Sequence, residues 1–508
     1  MSIIDRIDSY SKYEKEAQIY DKKILTYKEL KYKSDALACY LIEKYEKNKK
    51  PILVYGHKEE EMLICFLACT KAGYPYVPID ITFPETRVKD VIENCNADLI
   101  FHIEDREIEL PKTIGKLDKQ EINNIFSLYN GKIPDKDFEV KGEEIYYILY
   151  TSGSTGKPKG VKITYNCLEN FLNWFEKEAN LEDISLDYMN QVSYSFDVSV
   201  IGMYIGLSLG RRLFVIDKKM IENFQELFLN LGQSNIGFIA TTPAFIQMCL
   251  VDEKFNETLL PNLKKVVVAG EVLTKQLAMK FYERFPKVKL INGYGPTEST
   301  VLVTSVEISK EMIESKESLP IGYSGENIHI KILDKMGKEV TEGDIGEIVI
   351  YGDSVSTGYY NNESMTKKVF FNTKLNGTQR RAYKTGDLGY KKNQLFYYKG
   401  REDFQIKLNG FRIELQDIEE NLCSIEFVEN AVVIPVKKNE KINHLTAFIT
   451  LNKDMEESGL KLAKKVKEEL KTKIPEYMIP RQIKVKERFV LNVNGKIDRK
   501  VLMEELGC

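Results

Sequence analysis

Residues Tyr147–Val161 read YILYTSGSTGKPKGV. The apolar run Tyr147–Tyr150 has the texture of a buried strand. It leads into Thr151, Ser152, Gly153, Ser154, Thr155 and Gly156, followed by Lys157 and Lys159. Glycines allow a tight turn and close backbone approach to a polyanion. Hydroxyls and main-chain N–H groups cradle phosphates, and the lysines add charge. The loop is not a Walker A sequence, because two residues rather than four separate Gly153 from Gly156. A hydrophilic surface turn is the bland alternative. The strand that feeds the loop favours phosphate binding within an α/β fold.

The flanking sequence fits that fold. Thr26–Tyr45 carries apolar residues at helical spacing, with Leu30, Leu37 and Leu41 as anchors. Short strands are expected at Pro51–Tyr55, Tyr74–Ile79 and Ala97–His102, with helices at Glu60–Lys71 and Phe83–Asn94 between them. This alternation implies layered helices and parallel sheet. Ile236–Ala240 and Lys265–Ala269 continue it. From about Ile328 the strands Ile328–Leu333, Glu347–Tyr351 and Leu395–Tyr398, separated by glycine turns, indicate a β-rich subdomain. Near Gly400 the texture shifts to a small α+β unit. A large domain over 1–399 and a small mobile one over 400–508 are expected.

Composition narrows the class. The 508 residues hold 73 Lys plus Arg and 76 Asp plus Glu, a net charge of −3, so no global attraction for nucleic acid is expected. Hydrophobic residues at 43% and aromatics at 11% supply too much burial for a disordered chain. The eight cysteines contain no CxxC pair, and the four histidines have no metal-like spacing. Cys65 and Cys69 are expected on one buried helix face. The N-terminus lacks an apolar signal region. The longest apolar run, Val198–Leu209, is shorter than the ~20 residues a membrane span needs. A cytoplasmic enzyme without membrane insertion is the expectation.

Four further stretches follow in order: NGYGPTE at Asn292–Glu298, YKTGDL at Tyr383–Leu388, GREDFQIKLNGFRIE at Gly400–Glu414 and NGKIDRK at Asn494–Lys500. With the glycine-rich loop, they resemble the motifs of the adenylate-forming superfamily of acyl-CoA synthetases, luciferases and peptide-synthetase adenylation domains. The resemblance covers essentially the whole chain. It implies ATP and Mg²⁺ as cofactors. Tyr294 offers a flat ring to a purine, and Asn292 can pair with its exocyclic amine. Glu298 is a hard oxygen ligand for Mg²⁺. Thr297 can bond the α-phosphate, and Asp387 both ribose hydroxyls. By resemblance, Lys496 is the catalytic lysine, Asp403 the hinge, and Arg401 a ribose or phosphate contact, while Lys407 serves the second step or the domain interface.

Tyr194–Ser199 reads YSFDVS. Asp197 could cap a following helix. By resemblance to amino-acid-activating members, it instead holds a substrate ammonium, which a buried carboxylate in an apolar pocket needs. Val198, Ile201, Ala240, Val267, Ala269, Gly270, Gly293, Val301 and Leu302 are the expected pocket positions. Ala269 and Gly293 should open space that Leu302 partly refills. Other stretches, among them TPAFIQMCL at Thr242–Leu250, most resemble members that load D-alanine onto a carrier protein bearing a phosphopantetheine arm. A stand-alone peptide-synthetase-type enzyme for another amino acid and an acyl- or aryl-CoA ligase are the alternatives.

Overall fold

The parallel strands form where the sequence is apolar on both faces. Ile52–Gly56 (ILVYG) and Tyr76–Asp80 (YVPID) are buried at every position, as strands covered by helices on both sides must be. The computed structural model describes residues 1–45, 49–104, 106–153, 157–375, 377–401, 405–438, 441–452, 459–490, 497 and 499–507. The chain divides into two compact units. One comprises Met1–Ile81, Asn94–Tyr150 and Gly160–Gly400; the other comprises Thr82–Glu93, Thr151–Lys159 and Arg401–Cys508.

The first unit holds three sheets. The six-stranded sheet runs Gly115–Asp118, Leu99–His102, Ile52–Gly56, Tyr76–Asp80, Ile145–Thr151, Lys159–Thr164. Its first five strands pair parallel. The nine-stranded sheet has a parallel centre: Lys289–Tyr294, Lys265–Val268, Ile236–Thr241, Asp187–Asn190, Leu213–Val215 and Glu16–Tyr20. Antiparallel strands close both of its edges. The β-rich subdomain is an antiparallel five-stranded sheet built around Gly346–Gly352 and Thr378–Lys392. The N-terminal pair of strands and the fifteen-residue strand Thr378–Lys392 were not anticipated from sequence. Helices Ile3–Ser9, Lys119–Leu128 and Tyr165–Glu178 were not anticipated either, whereas Tyr27–Lys44 was: it begins after Thr26, whose side chain accepts from Glu29 N–H in a capping box. Cys65 and Cys69 are both buried in Glu60–Lys71.

The second unit contains the hairpin Gln405–Leu408 with Phe411–Glu414, and a three-stranded sheet of Val428–Lys438, Lys441–Leu451 and Gln482–Val485. Helices Leu415–Cys423 and Gly459–Lys471 share an apolar core with them. Thr86 Oγ1 donates to the Thr472 carbonyl at 2.9 Å. No helix among the described residues is long and apolar enough to cross a membrane.

Asp417, 1% exposed, is a buried acid of this unit. Asn421 Nδ2 donates to its Oδ1 at 3.0 Å, but Arg87 Nη1 stands 3.6 Å from its Oδ2, too far for a hydrogen bond. Desolvation outweighs Arg87 and pushes the carboxyl up to about 7. The folded state therefore keeps a proton that the unfolded carboxyl releases near pH ~4, and it loses that advantage as pH rises through 7. Asp417→Asn removes the titration. Measured by calorimetry, its stability relative to the native protein should rise between pH 5 and pH 8 by about 2–3 kcal/mol.

Candidate active site

The central parallel strands of the nine-stranded sheet bring their C-terminal ends to one edge, where open α/β sheets bind ligands. Register aligns Ala240 with Val267, and Val267 with Ile291. These residues share one apolar cluster with Ala269, Val198, Ile201, Val301 and Leu302. Their alternates Ile239, Val266, Val268 and Leu290 lie in the cluster on the other face. The pleat thus puts Ala240, Val267 and Ile291 on one face of the sheet. Gly270 follows Ala269 at the end of its strand.

Asp197 sits at the mouth of this face, 5% exposed. Thr297 Oγ1 donates to its Oδ2 at 2.6 Å. Two residues assigned from sequence to different substrates, an ammonium and a phosphate, are therefore joined. Helical backbone begins at Ser199, two residues after Asp197, and includes the π-helical turn Ile201–Ile205 and Gly206–Ser208; Val200 N–H donates to the Asp197 carbonyl at 3.0 Å. The apolar helix expected after Asp197 is thus present, from Ser199 to Ser208.

Thr297 and Glu298 lie in the loop between strands paired at Tyr294 and Thr304. Two consecutive β-branched residues there, Thr300 (φ +59°) and Val301 (φ +65°), are left-handed. Such strain costs about 1–3 kcal/mol per residue and persists only where surroundings enforce it. Here Thr300 Oγ1 donates to the Ser354 carbonyl at 2.8 Å, and Val303 N–H to the Tyr294 carbonyl at 2.8 Å. Ser356 N–H donates to the Glu298 carbonyl at 2.9 Å. Glu298 is 0% exposed, and its Oε1 accepts from the Tyr359 hydroxyl at 2.7 Å. Among the described residues no three His, Cys, Asp or Glu side chains form a metal cage. A lone buried carboxylate suits Mg²⁺, which takes its remaining ligands from phosphates and water.

The nucleotide motifs converge from two sheets. Asn292 Nδ2 donates to the Pro320 carbonyl at 2.7 Å, so an exocyclic amine would meet its Oδ1. The Tyr294 hydroxyl donates to Asp387 Oδ2 at 2.5 Å, and its ring centroid lies 6.4 Å from that of Tyr398. Asp387, 2% exposed, belongs to a strand and not to a turn. A bulge presents it: Glu347 pairs with Leu388 and Val349 with Lys384, so Thr385, Gly386 and Asp387 face a single residue. Gly386 takes φ +70°, a conformation that glycine permits without penalty. Thr385 Oγ1 accepts from Asp387 N–H at 2.9 Å and donates to the Ile348 carbonyl at 2.7 Å.

In the second unit, Ser152 Oγ donates to the Arg412 carbonyl at 2.7 Å, and Lys159 Nζ lies 4.0 Å from Glu414 Oε1. Thr151 Oγ1 is buried without a hydrogen-bond partner. Gly153 precedes 154–156, and Arg401 ends the strand Leu395–Arg401. Lys407 pairs with Arg412 across the hairpin. Ser154, Thr155, Gly156, Asp403 and Lys496 lie outside the described residues. Sequence reading missed Tyr359, which is 61 residues from the carboxylate it binds, as well as Ser354 and Pro320, which act through main-chain carbonyls and leave no residue-type signal.

The AMP-binding enzyme model matches residues 8–360, and the AMP-binding enzyme C-terminal domain model matches 417–496. The chain belongs to the AMP-binding enzyme family. It is 43% identical over 482 residues to the D-alanine–D-alanyl carrier protein ligase of Bacillus anthracis, covering 95% of this chain and 94% of that one. It is 42% identical over 509 residues to the protein of the same name from Bacillus cytotoxicus, covering all of both. Solved structures share the fold. They include a double mutant of o-succinylbenzoate CoA synthetase from Bacillus subtilis (TM-score 0.82, 18% identity, 98% of each chain). A Vibrio cholerae adenylation domain in complex with glycyl-adenosine-5′-phosphate gives TM-score 0.79 at 20% identity, over 99% of this chain and 97% of that one.

Gly293 does not leave open space. A Cβ there would stand 2.9 Å from Leu302 Cδ1 and 3.0 Å from Cδ2, so Leu302 already occupies the room the glycine vacates. Gly293→Ala should lower stability by about 1–3 kcal/mol through overpacking. The double variant with Leu302→Ala should lose less than the sum of the two single losses, measured by denaturant unfolding.

Proposed function

We propose that this protein activates an amino acid with ATP, D-alanine first, and transfers it to a carrier protein. The observation that carries this reading is the buried Asp197 carboxylate beside the apolar face of Val198, Ile201, Ala240, Val267 and Ala269. A substrate ammonium answers that charge. A fatty or aryl acid brings no such cation to it. The relatives named as D-alanyl carrier protein ligases support the choice of amino acid and of partner.

In the first step a carboxylate oxygen of the amino acid bonds to the α-phosphorus of ATP, and the bond to the pyrophosphate oxygen breaks. Aminoacyl-AMP and pyrophosphate result. In the second step the carrier's phosphopantetheine thiolate attacks the acyl carbonyl, AMP leaves, and a thioester remains. The nucleophilic sulfur comes from the partner, so no cysteine of this chain takes part. Asp197 orients the ammonium, Asn292 and Tyr294 take the purine, and Asp387 accepts from the ribose hydroxyls. The Thr151–Gly156 loop with Lys159 and Arg401 takes the phosphates. Glu298 would hold Mg²⁺, which supplies charge neutralisation to the phosphates when bound. Residues 1–399 form the binding core, and 400–508 the mobile domain turning about Asp403. Lys496 stabilises charge developing at the α-phosphate in the transition state. The setting is the cytoplasm, and nucleic acid is not a partner.

ATP–pyrophosphate exchange tests the reading. D-alanine should exchange faster than L-alanine, serine, valine, leucine or phenylalanine. Preference for one large side chain would replace it with a peptide-synthetase-type enzyme, and preference for simple carboxylic acids with a CoA ligase. Asp197→Asn should reduce kcat/KM for the amino acid by ~10²–10³, the cost of about 3–5 kcal/mol for breaking a buried charge pair, with KM for ATP unchanged. Lys496→Ala should collapse kcat while equilibrium ATP binding persists, because its contact belongs to the transition state.

A further inference from the structure

Lys58 follows the strand Ile52–Gly56 of the six-stranded sheet and is 0% exposed. Its ammonium reaches the end of strand Asp187–Asn190 in the nine-stranded sheet. It donates to Asn190 Oδ1 at 2.8 Å and to the Val192 carbonyl at 2.5 Å, and lies 3.8 Å from the centroid of the Tyr194 ring. An ammonium has three N–H donors, and two oxygens and a ring face answer them. Asn190 Nδ2 donates in turn to the Tyr194 hydroxyl at 2.6 Å.

A second grip holds the same loop. Ser193 Oγ donates to Asp80 Oδ2 at 2.7 Å, and His57 Nδ1 bonds that oxygen at 2.9 Å. Lys218 N–H donates to His57 Nε2 at 3.3 Å, which makes Nε2 the acceptor and leaves the ring proton on Nδ1, facing Asp80. Ser195 Oγ donates to the Pro78 carbonyl at 3.0 Å. Burial pulls the Lys58 ammonium down to about 7, with the charges of Asp80 and Glu59 holding it up.

A buried ammonium is a poor device for stability alone, since apolar side chains of similar volume serve as well or better. Its contribution is direction: Asn190, Val192 and Tyr194 satisfy it together in one loop conformation. Five residues beyond Val192 the loop delivers Asp197. The connection has little slack, because Phe196 N–H donates to the Ser193 carbonyl and Ser199 N–H to the Phe196 carbonyl, both at 3.0 Å.

We propose that Lys58 is a positioning residue for the amino acid: it fixes the 191–197 loop so that the Asp197 carboxylate meets the substrate ammonium. This rests on the reading of Asp197 given above. Lys58 acts through the loop and not on the reacting atoms.

A double-mutant cycle in ATP–pyrophosphate exchange, run on the full chain with D-alanine, tests it. Lys58→Met should raise KM for D-alanine tenfold or more and leave KM for ATP within twofold. In the Asp197→Asn background the same substitution should lower kcat/KM for D-alanine less than twofold further, because the group it positions is gone. A purely structural role would instead raise both KM values together, or cost the same factor in both backgrounds; either result overturns the proposal. If Lys58→Met does not fold, Tyr194→Leu, which removes the ring face and the hydroxyl that Asn190 bonds, enters the same cycle with an expected three- to fivefold effect. Asp197→Asn alone separates the two readings. No change in KM for D-alanine in that variant means the ammonium assignment has failed; a large change without coupling to Lys58 means only the positioning role has failed.

Discussion

A carboxylate withdrawn from water beside an apolar wall must find polar partners or a counter-charge, and Asp197 is such a group. Much of the surrounding architecture follows from keeping it there. Thr297 supplies a hydroxyl at 2.6 Å. To bring Thr297 into place, the chain reverses between antiparallel strands and accepts two left-handed β-branched residues, Thr300 and Val301. The hydrogen bond from Thr300 to the Ser354 carbonyl anchors that loop to the segment before Tyr359. The strain is stored where the chemistry is, as functional sites tend to store it.

The second organising feature is that acidic side chains are held by tyrosines from distant chain segments. Tyr359 holds Glu298, and Tyr294 holds Asp387. A phenol O–H gives an ionised oxygen a strong, directional donor without cancelling its charge. The geometry of each carboxyl oxygen is therefore fixed beforehand. Preorganised polar groups in a water-poor site act more strongly than the same groups in water. The bulge at Thr385–Asp387 does for Asp387 what the strained loop does for Glu298: it takes a side chain out of a regular ladder.

The hydroxyl-rich loop shows the other side of this economy of partners. Ser152 and Lys159 are engaged with Arg412 and Glu414 in the second unit, while the Thr151 hydroxyl is buried without a partner. Donors that can serve a phosphate are answered by the protein's own carbonyl and carboxylate. Any polyanion bound at this loop would compete with those oxygens for the same groups.

Much of the fold was readable from sequence. Apolar runs of four to six residues bounded by glycine, proline and cap residues mark the parallel strands, and 3.6-residue spacing marks helices such as Tyr27–Lys44. Short motifs carried the family because glycines, hydroxyls and acids stand at fixed local spacing. Alternation along adjacent parallel strands also explains why Ala240, Val267 and Ile291 share a face. Local spacing could not place partners whose contacts span the chain. The union of Asp197 with Thr297 is separated by 100 residues, that of Lys58 with Asn190 by 132, and that of Tyr294 with Asp387 by 93. Nor did it show that Leu302 fills the room above Gly293, or that Asp387 stands on a bulged strand and not in a turn. Residue type and spacing determine which groups are present and which local elements form. Which donor answers which buried charge is decided only when sheets pack and register is set, because that pairing depends on distances through space that no local pattern encodes.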